Sequence, residues 1–302
     1  MAHAEAQKEK SAAALSSVVA AVGLTTFKLI VGLLTNSLGI LAEAAHSGLD
    51  LVAAAMTYFA VRVSDKPADR EHPFGHGKIE NLSALFEAVL LLATSAWIIY
   101  EAVDRLFFRP AKVDASIWAF VVMGTSIIID YGRSRILYRA AKKHNSQALE
   151  ADALHFSTDI WSSSVVILGL IGVTLAKYIK GLDWMDKADA IAAMVVALIV
   201  VYVSGELGWR TIQALLDAAP RGMAEQIEQA ARSVKGVVDA HAIRIRPSGA
   251  VWFIDLHITM DGNVPLQVAH NATEEVERRV QELLPRSDVI VHVEPAEMAE
   301  KK

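Results

Sequence analysis

The chain has 302 residues, 53% of them hydrophobic, and a mean hydropathy of +0.34, which is too apolar for an ordinary soluble globular protein and points to a membrane protein with a polar appendage. It has no cysteine, so disulfides and thiolate metal sites are excluded and any metal must be held by histidines and carboxylates. The net charge of −5 gives no basis for nucleic-acid binding.

Met1 to Lys10 is polar, and the apolar run that follows ends with no A-x-A-like cleavage signal, so a retained first helix is expected and not a signal peptide. Six stretches reach the roughly 20 apolar residues that a bilayer requires: Ala12–Leu34, Leu38–Val61, Leu82–Leu106, Ile117–Leu137, Ala148–Ala176 and Ala188–Leu216. Lys28, near the end of the first, is expected to snorkel toward water. An even number of spans leaves both termini on one side. With that side cytoplasmic, the inside segments hold eleven basic residues: Lys8, Lys10, Arg62, Lys66, Arg70, Lys78, Arg133, Arg135, Arg139, Lys142 and Lys143. The outside segments hold six: Arg105, Arg109, Lys112, Lys177, Lys180 and Lys187. The positive-inside rule therefore favours cytoplasmic termini.

After Asp217 the pattern changes, giving two domains, 1–217 and 218–302. Ala-Pro-Arg-Gly (219–222) breaks the helix, and Met223–Val234 has helical spacing. Val238–Arg246 and Val251–Met260 alternate as strands do, joined by a turn at Pro247-Ser248-Gly249-Ala250. Leu266–Leu284 reads as a helix and Val289–Glu294 as a last strand. The order α-β-β-α-β suggests a small open α+β sandwich with its helices on one face of the sheet.

The chemistry is concentrated in one string that occurs twice. Glu43-x-x-His46-x-x-x-Asp50 lies in the second span and Asp152-x-x-His155-x-x-x-Asp159 in the fifth. A His and an Asp four residues apart project from one helix face. Counted from opposite ends of antiparallel spans, at about 1.5 Å per residue, both pairs fall near the bilayer midplane. Two imidazoles and two carboxylates around one point are the donor set of a tetrahedral Zn²⁺ site. An acid in a membrane helix costs about 2.5–3.5 kcal/mol on insertion scales, so four of them beside imidazoles imply function. The bland alternative has each His satisfied by a polar helix contact and each Asp facing a water-filled crevice. Glu43 and Asp152, one turn before each His, could orient the imidazoles or face the crevice as free acids.

Two further clusters stand outside the spans. Between spans two and three, Asp69, His72 and His76 would make a three-ligand site with room for water; the alternative is an ordinary polar turn. In the last strand His292 and Glu294 share a face, opposite Val289, Val291 and Val293. In the middle strand Trp252, Ile254, Leu256 and Ile258 form the core face, which leaves His257 outside. His257, His292 and Glu294 on the non-core face suggest a surface metal site, with His241 opening the first strand and His270 on the second helix.

Four motifs give the chain a family likeness: Ala-His-Ser-Gly-Leu-Asp (45–50), His-Pro-Phe-Gly-His-Gly-Lys (72–78), Asp-Ala-Leu-His-Phe-Ser-Thr-Asp (152–159) and Leu-Leu-Asp (215–217). In order and spacing they resemble the cation diffusion facilitators, proton-coupled exporters of divalent transition metals. Over nearly the whole chain the resemblance implies an α-helical membrane protein of six transmembrane helices followed by a cytoplasmic ferredoxin-like α+β domain. It also implies a homodimer in membrane lipid that works by alternating access, with protons as the counter-ion. The implied sites are a transport site at His46, Asp50, His155 and Asp159, a loop site at Asp69, His72 and His76, and cytoplasmic sites among His241, His257, His270, His292 and Glu294. Lys78 and Asp217 match the family's charge interlock. Two departures stand out: Glu294 replaces the Asp common in zinc-type members, and the segment Ala141–Ser146 holds only His144 in place of a His-rich loop. The second favours a bacterial-type protein in the inner membrane.

Zn²⁺, with Cd²⁺ as congener, suits two His and two Asp better than Mn²⁺ does; Fe²⁺ and Co²⁺ remain alternatives. An intramembrane metalloprotease would need a motif such as H-E-x-x-H, which does not occur, and an open coordination position that four ligands would fill. A non-enzymatic transporter is therefore expected, with a membrane metal sensor as the distant alternative.

Overall fold

A computed structural model describes residues 2–108, 116–176 and 185–296. Arg109, Lys112, Lys177 and Lys180, all counted in the outside segments above, lie outside the described residues. By contact the chain forms two units. The helical unit runs to Asp65 and resumes from Ile79 to Thr211, while the second takes Lys66–Lys78 together with the chain from Ile212 onward.

Six long helices supply the first unit: α1 (Ala2–Thr35), α2 (Leu38–Ser64), α3 (Lys78–Phe107), α4 (Ile117–His144), α5 (Gln147–Ala176) and α6 (Met185–Leu215). Among the described residues, four are long and apolar enough to cross a membrane: Glu5–Thr35, Ile40–Ser64, Lys78–Asp104 and Ala193–Leu215. The other two, α4 and α5, pack along each other and hold the buried polar groups Asp130, Arg133, Asp152 and His155. Their polar faces are thus sheltered by protein, as ionisable groups in a membrane must be.

Local chemistry sets the helix ends. Ser37 accepts a bond from the Ile40 N–H at the start of α2, and Ser116 does the same for Ala119 in α4, the usual satisfaction of an orphan N-terminal donor. Asn145, at φ 51°, closes α4 in the left-handed conformation that Asn tolerates. Small residues bring α1, α2, α4 and α5 together: Ala13, Ala14, Ala54, Ala141, Ala148 and Ala153 pack with Val61, Leu137, Leu149 and Phe156, the kind of interface by which membrane helices approach closely. Val19, Leu34, Phe59, Trp97, Ile128 and Trp209 point outward and are exposed, as a lipid-facing surface requires.

Buried cations inside this unit are paired, Lys10 and Lys28 across helices and Arg133 within α4. Lys28 does not snorkel: it is 4% exposed, and its Nζ donates to Ser47 Oγ at 2.8 Å and to Glu43 Oε2 at 3.3 Å. Lys10 and Arg133, both counted above among the inside basic residues, are also buried. Lys10 bonds Asp65 at 2.7 Å and Glu80 at 2.9 Å. Arg133 bonds Asp130 and Ser17, each at 3.1 Å. In each case an available carboxylate inside the bundle offsets desolvation of the cation better than a long reach to water.

The second unit contains α7 (Met223–Arg232), β1 (Asp239–Ser248), β2 (Val251–Met260), α8 (Leu266–Leu283) and β3 (Ser287–Pro295). The sheet order is β1-β2-β3, with β1 antiparallel and β3 parallel to β2. α8 is the crossover that a parallel pair needs. Ile227 and Ala231 of α7 and Val276 and Val280 of α8 pack on Ile245, Ile254, Leu256, Ile258 and Val289. The β1–β2 register shifts between His241 and Arg244, where Ala242 has φ 51°, a β-bulge.

Residues 66–78 are clamped within this unit. The Phe74 ring meets Phe253 edge-on at 5.1 Å, the Arg246 guanidinium lies 3.5 Å from the centre of the Phe74 ring, and Ser248 Oγ donates to the Phe74 carbonyl at 3.3 Å. Lys78 Nζ reaches Asp217 Oδ1 at 2.7 Å and the Leu215 carbonyl at 3.3 Å. Gly77 lies directly against the β1–β2 turn, where a Cβ would fall 2.4 Å from the Ser248 carbonyl oxygen. Gly77→Ala should therefore lower the melting midpoint of the purified protein and open residues 66–78 to protease, overpacking of this kind costing about 1–3 kcal/mol. Melting and digestion identical to the parent would show that the contact is slack.

Candidate metal centres

The helix register of α2 and α5 turns the two intramembrane motifs toward each other. His155 Nε2 lies 3.2 Å from Asp50 Oδ1 and 3.6 Å from Asp159 Oδ2. Ligand atoms of Asp50, His155 and Asp159 all fall within 4.8 Å of one another. A tetrahedron with metal–ligand bonds of about 2.0–2.1 Å separates its donors by about 3.3–3.4 Å, so these spacings need little contraction to close on one ion. His155 and Asp50 are buried, whereas the side chains of His46 and Asp159 are 41% and 20% exposed. His46 is the outlying member of the expected four. Its Nε2 stands 3.9 Å from Asp50 Oδ1, and it is outside the tight set of three.

The acids one turn before each histidine orient neither ring. Glu43 is drawn to Lys28. Asp152 is fully buried, and His155 Nδ1 has no hydrogen-bond partner among the described residues. Lys28, hydrogen-bonded to Ser47 between the two α2 ligands, adds a positive charge beside the site that the sequence reading placed elsewhere. Glu87 on α3 was missed altogether. It is 1% exposed and accepts a bond from Thr57. The signal that existed was a lone acid in the apolar run of α3, spaced i, i+3, i+7 from Glu80 and Ser83.

The loop residues also come together. Asp69 Oδ1 lies 3.3 Å from His72 Nδ1 and Asp69 Oδ2 lies 3.5 Å from His76 Nε2, and the two rings stand 4.4 Å apart. Asp69 Oδ1 also accepts the backbone N–H groups of His72 at 2.7 Å and Glu71 at 2.9 Å. Hydrogen bonding from the His72 N–H leads the effects that hold the Asp69 carboxyl below its ordinary range. The carboxylate is thereby fixed as an anion facing both rings.

In the sheet, strand register aligns three histidines in one row: His241 opposite His257, and His257 opposite His292. Glu294 spans two of them, with Oε2 3.3 Å from His241 Nε2 and Oε1 3.1 Å from His257 Nδ1. His241 Nδ1 takes Asp239 Oδ2 at 3.1 Å, the outer carboxylate contact that commonly orients a ligating imidazole. The His292 ring is tilted against that of His257, centroids 4.8 Å apart, but His292 is outside the tight group of His241, His257 and Glu294. His270 is not brought to this row. It lies on α8, exposed, 3.5 Å from Glu274, because α8 covers the core face of the sheet while the row occupies the other face.

Comparison with known proteins identifies the family. Residues 14–216 match the family model for the cation efflux transmembrane domain, and residues 219–296 match that for the cytoplasmic domain of cation efflux proteins. The cation-efflux pump FieF of Salmonella arizonae is 30% identical over 299 residues, covering 97% of this chain and 95% of its own length. The protein of the same name from Salmonella schwarzengrund is 31% identical over 292 residues, covering 94% and 92%. A zinc-form structure of CzrB, a candidate zinc transporter, is 25% identical with a TM-score of 0.25, covering 27% of this chain and 93% of that one. With two domain matches in sequence order and relatives aligned over nearly their full length, the chain belongs to the cation efflux, or cation diffusion facilitator, family: multi-pass membrane transporters of metal cations that carry a cytoplasmic dimerisation domain.

Proposed function

We propose that this protein exports Zn²⁺, and its congener Cd²⁺, from the cytoplasm in exchange for protons, as a homodimer in a bacterial inner membrane with both termini cytoplasmic. The observation that carries the reading is the convergence of Asp50, His155 and Asp159 on one point between α2 and α5. His46 stands close enough to complete a four-ligand set by a side-chain rotation. Nitrogen and oxygen donors at tetrahedral spacing favour Zn²⁺ over the oxygen-rich, six-coordinate preference of Mn²⁺; Fe²⁺ and Co²⁺ would use the same site.

Coupling follows from the donors. Imidazole must be neutral and carboxylate ionised to hold a dication, so protons and metal compete for the same atoms. Protons arriving from outside displace the metal outward, and metal arriving from the cytoplasm displaces the protons inward. The loop triad Asp69–His72–His76 and the sheet group His241–His257–Glu294, with His292 beside it, are regulatory sites on this reading. Metal bound there draws cytoplasmic domains together and biases the spans toward one state.

Purified protein in vesicles loaded with a zinc-sensitive dye tests the transport site. Asp159→Ala should still assemble as a dimer yet lose at least about 100-fold in zinc flux, since even outer-sphere partners of a metal ligand are worth 10–100-fold. Flux at the parent rate would remove the site. For the parent protein, an inward proton gradient should accelerate metal efflux; initial rates and final accumulation unchanged when that gradient is collapsed would refute antiport.

The Lys78–Asp217 pair is the proposed interlock. Its side chains are 38% and 41% exposed, so its own contribution to stability is at most about 1 kcal/mol. Any larger effect on flux must come through the transport cycle. Lys78→Ala and Asp217→Ala should each slow transport, with the double variant no slower than either single. Losses that simply add would show the two residues to be independent.

A further inference from the structure

Glu87 is not used by the metal centre, yet it belongs to a buried file of polar side chains that begins there. On α2, Asp50, Thr57 and Ser64 recur every seven residues, and on α3, Glu80, Ser83 and Glu87 recur at i, i+3 and i+7, so each set lines one helix face. All six are under one-tenth exposed, as are Ser146, Asp152 and His155. Thr57 Oγ1 bonds Glu87 and stands 3.5 Å from Ser83 Oγ. One turn further on, Glu80 accepts from Ser64 at 3.0 Å, Ser146 at 2.5 Å and Lys10 at 2.9 Å. Lys10 continues to Asp65, the last residue before the chain leaves for residues 66–78.

The file is incompletely satisfied. Among the described residues, Glu87 Oε2, His155 Nδ1 and Asp65 Oδ2 are buried without a hydrogen-bond partner. Orphaned polar atoms are rare in native interiors and call for water or an exchangeable proton. Thr57, which bonds Glu87, lies seven residues beyond Asp50 on the same face of α2, about 10 Å along the helix axis, so Glu87 stands on the Glu80 side of the transport site while being none of its ligands.

We propose that Glu87 carries the coupled proton between the transport site and the cytoplasmic end of the bundle, along the file of Thr57, Ser83, Ser64 and Glu80. When metal binds from the cytoplasm, a proton released from the ligand set breaks its bond there and forms an O–H bond on the Glu87 carboxylate. Glu87 then gives it up to water or hydroxyl groups leading toward Glu80 and Asp65. The step transfers one proton and no electrons. It rests on the antiport reading above and adds the route.

The test is Glu87→Gln, which keeps the side chain's volume and can still accept from Thr57 but cannot release a proton. Vesicles carrying a zinc dye inside and a pH dye outside report both fluxes, dye competition in detergent reports zinc binding, and gel filtration reports the dimer. Glu87→Gln should bind zinc within about threefold of the parent. Its coupled zinc and proton fluxes should fall by at least about tenfold, given that a positioned proton carrier is typically worth 10²–10⁴. Glu87→Asp should restore a substantial part of both. Parent-like fluxes in Glu87→Gln overturn the proposal, as does loss of zinc binding in step with transport, which would make Glu87 part of the metal site. An Asp variant as slow as the Gln variant would do so too. Zinc flux without proton flux in the parent protein would defeat antiport itself, a different failure that is visible before any variant is made.

Discussion

The helical unit is organised by the cost of placing charge where water is scarce. An uncompensated ion in a low-dielectric interior is unfavourable by several kcal/mol even after relaxation, and this bundle contains many. Lys10 is matched by Asp65 and Glu80, Lys28 by Glu43, and Arg133 by Asp130, each cation meeting an acid from another turn or another helix. The cluster at Asp50, His155 and Asp159 is the exception, because two carboxylates meet one imidazole while the neighbouring Lys28 is bonded to Glu43 and Ser47 instead. Closely packed alanines hold those acids at short range. A divalent metal or protons can neutralise the resulting charge, and exchange between the two is what an antiporter requires.

The same donor types recur in the sheet under different rules. On α2 and α5 the ligands stand four residues apart, and an antiparallel helix pair combines them. On β1, β2 and β3 they stand opposite one another across the ladder. The intramembrane group is largely buried, while the sheet group is half-exposed, with Glu294 the most covered member. A buried site can be reached only when the bundle moves, which suits transport. A half-exposed site exchanges with the surrounding solution, which suits sensing of free metal.

Much of this was legible in the sequence because periodicity carries it. The eight-residue string from Glu43 to Asp50, repeated from Asp152 to Asp159, announces one helix face, and alternation across Val251–Met260 separates His257 from Ile254 and Ile258. Lys28 was misread because hydropathy assigns a cation near a helix end to water, whereas its partners Glu43 and Ser47 come from the next helix; for Lys10 the acid lies still further off, Glu80 being seventy residues beyond it. Glu87 was overlooked for a related reason, since one acid in an apolar run has no motif around it. His270 fell to the wrong face because its helix, unlike the strands, packs on the core side of the sheet. Local spacing reveals which residues share a surface, but only tertiary contact reveals what that surface meets.

The bulge at Ala242 has a consequence for how this chain can vary. Ala240 and Ile245 are both buried against the helices although an odd number of positions separates them, an arrangement that strict alternation forbids. The extra residue reverses the parity of β1, so His241 points away from the core while Ile245 points into it. Removing a single residue between His241 and Arg244 would restore unbroken alternation with His241 three positions from Ile245, so the imidazole would stay outward while Ile245 stayed in the core; flattening the bulge at full length would instead put both on one face. The histidine row is therefore a property of the bulged backbone as much as of composition. A descendant could shed the extra residue and keep the row, whereas one that flattened the bulge at full length would break it up without altering a single candidate ligand.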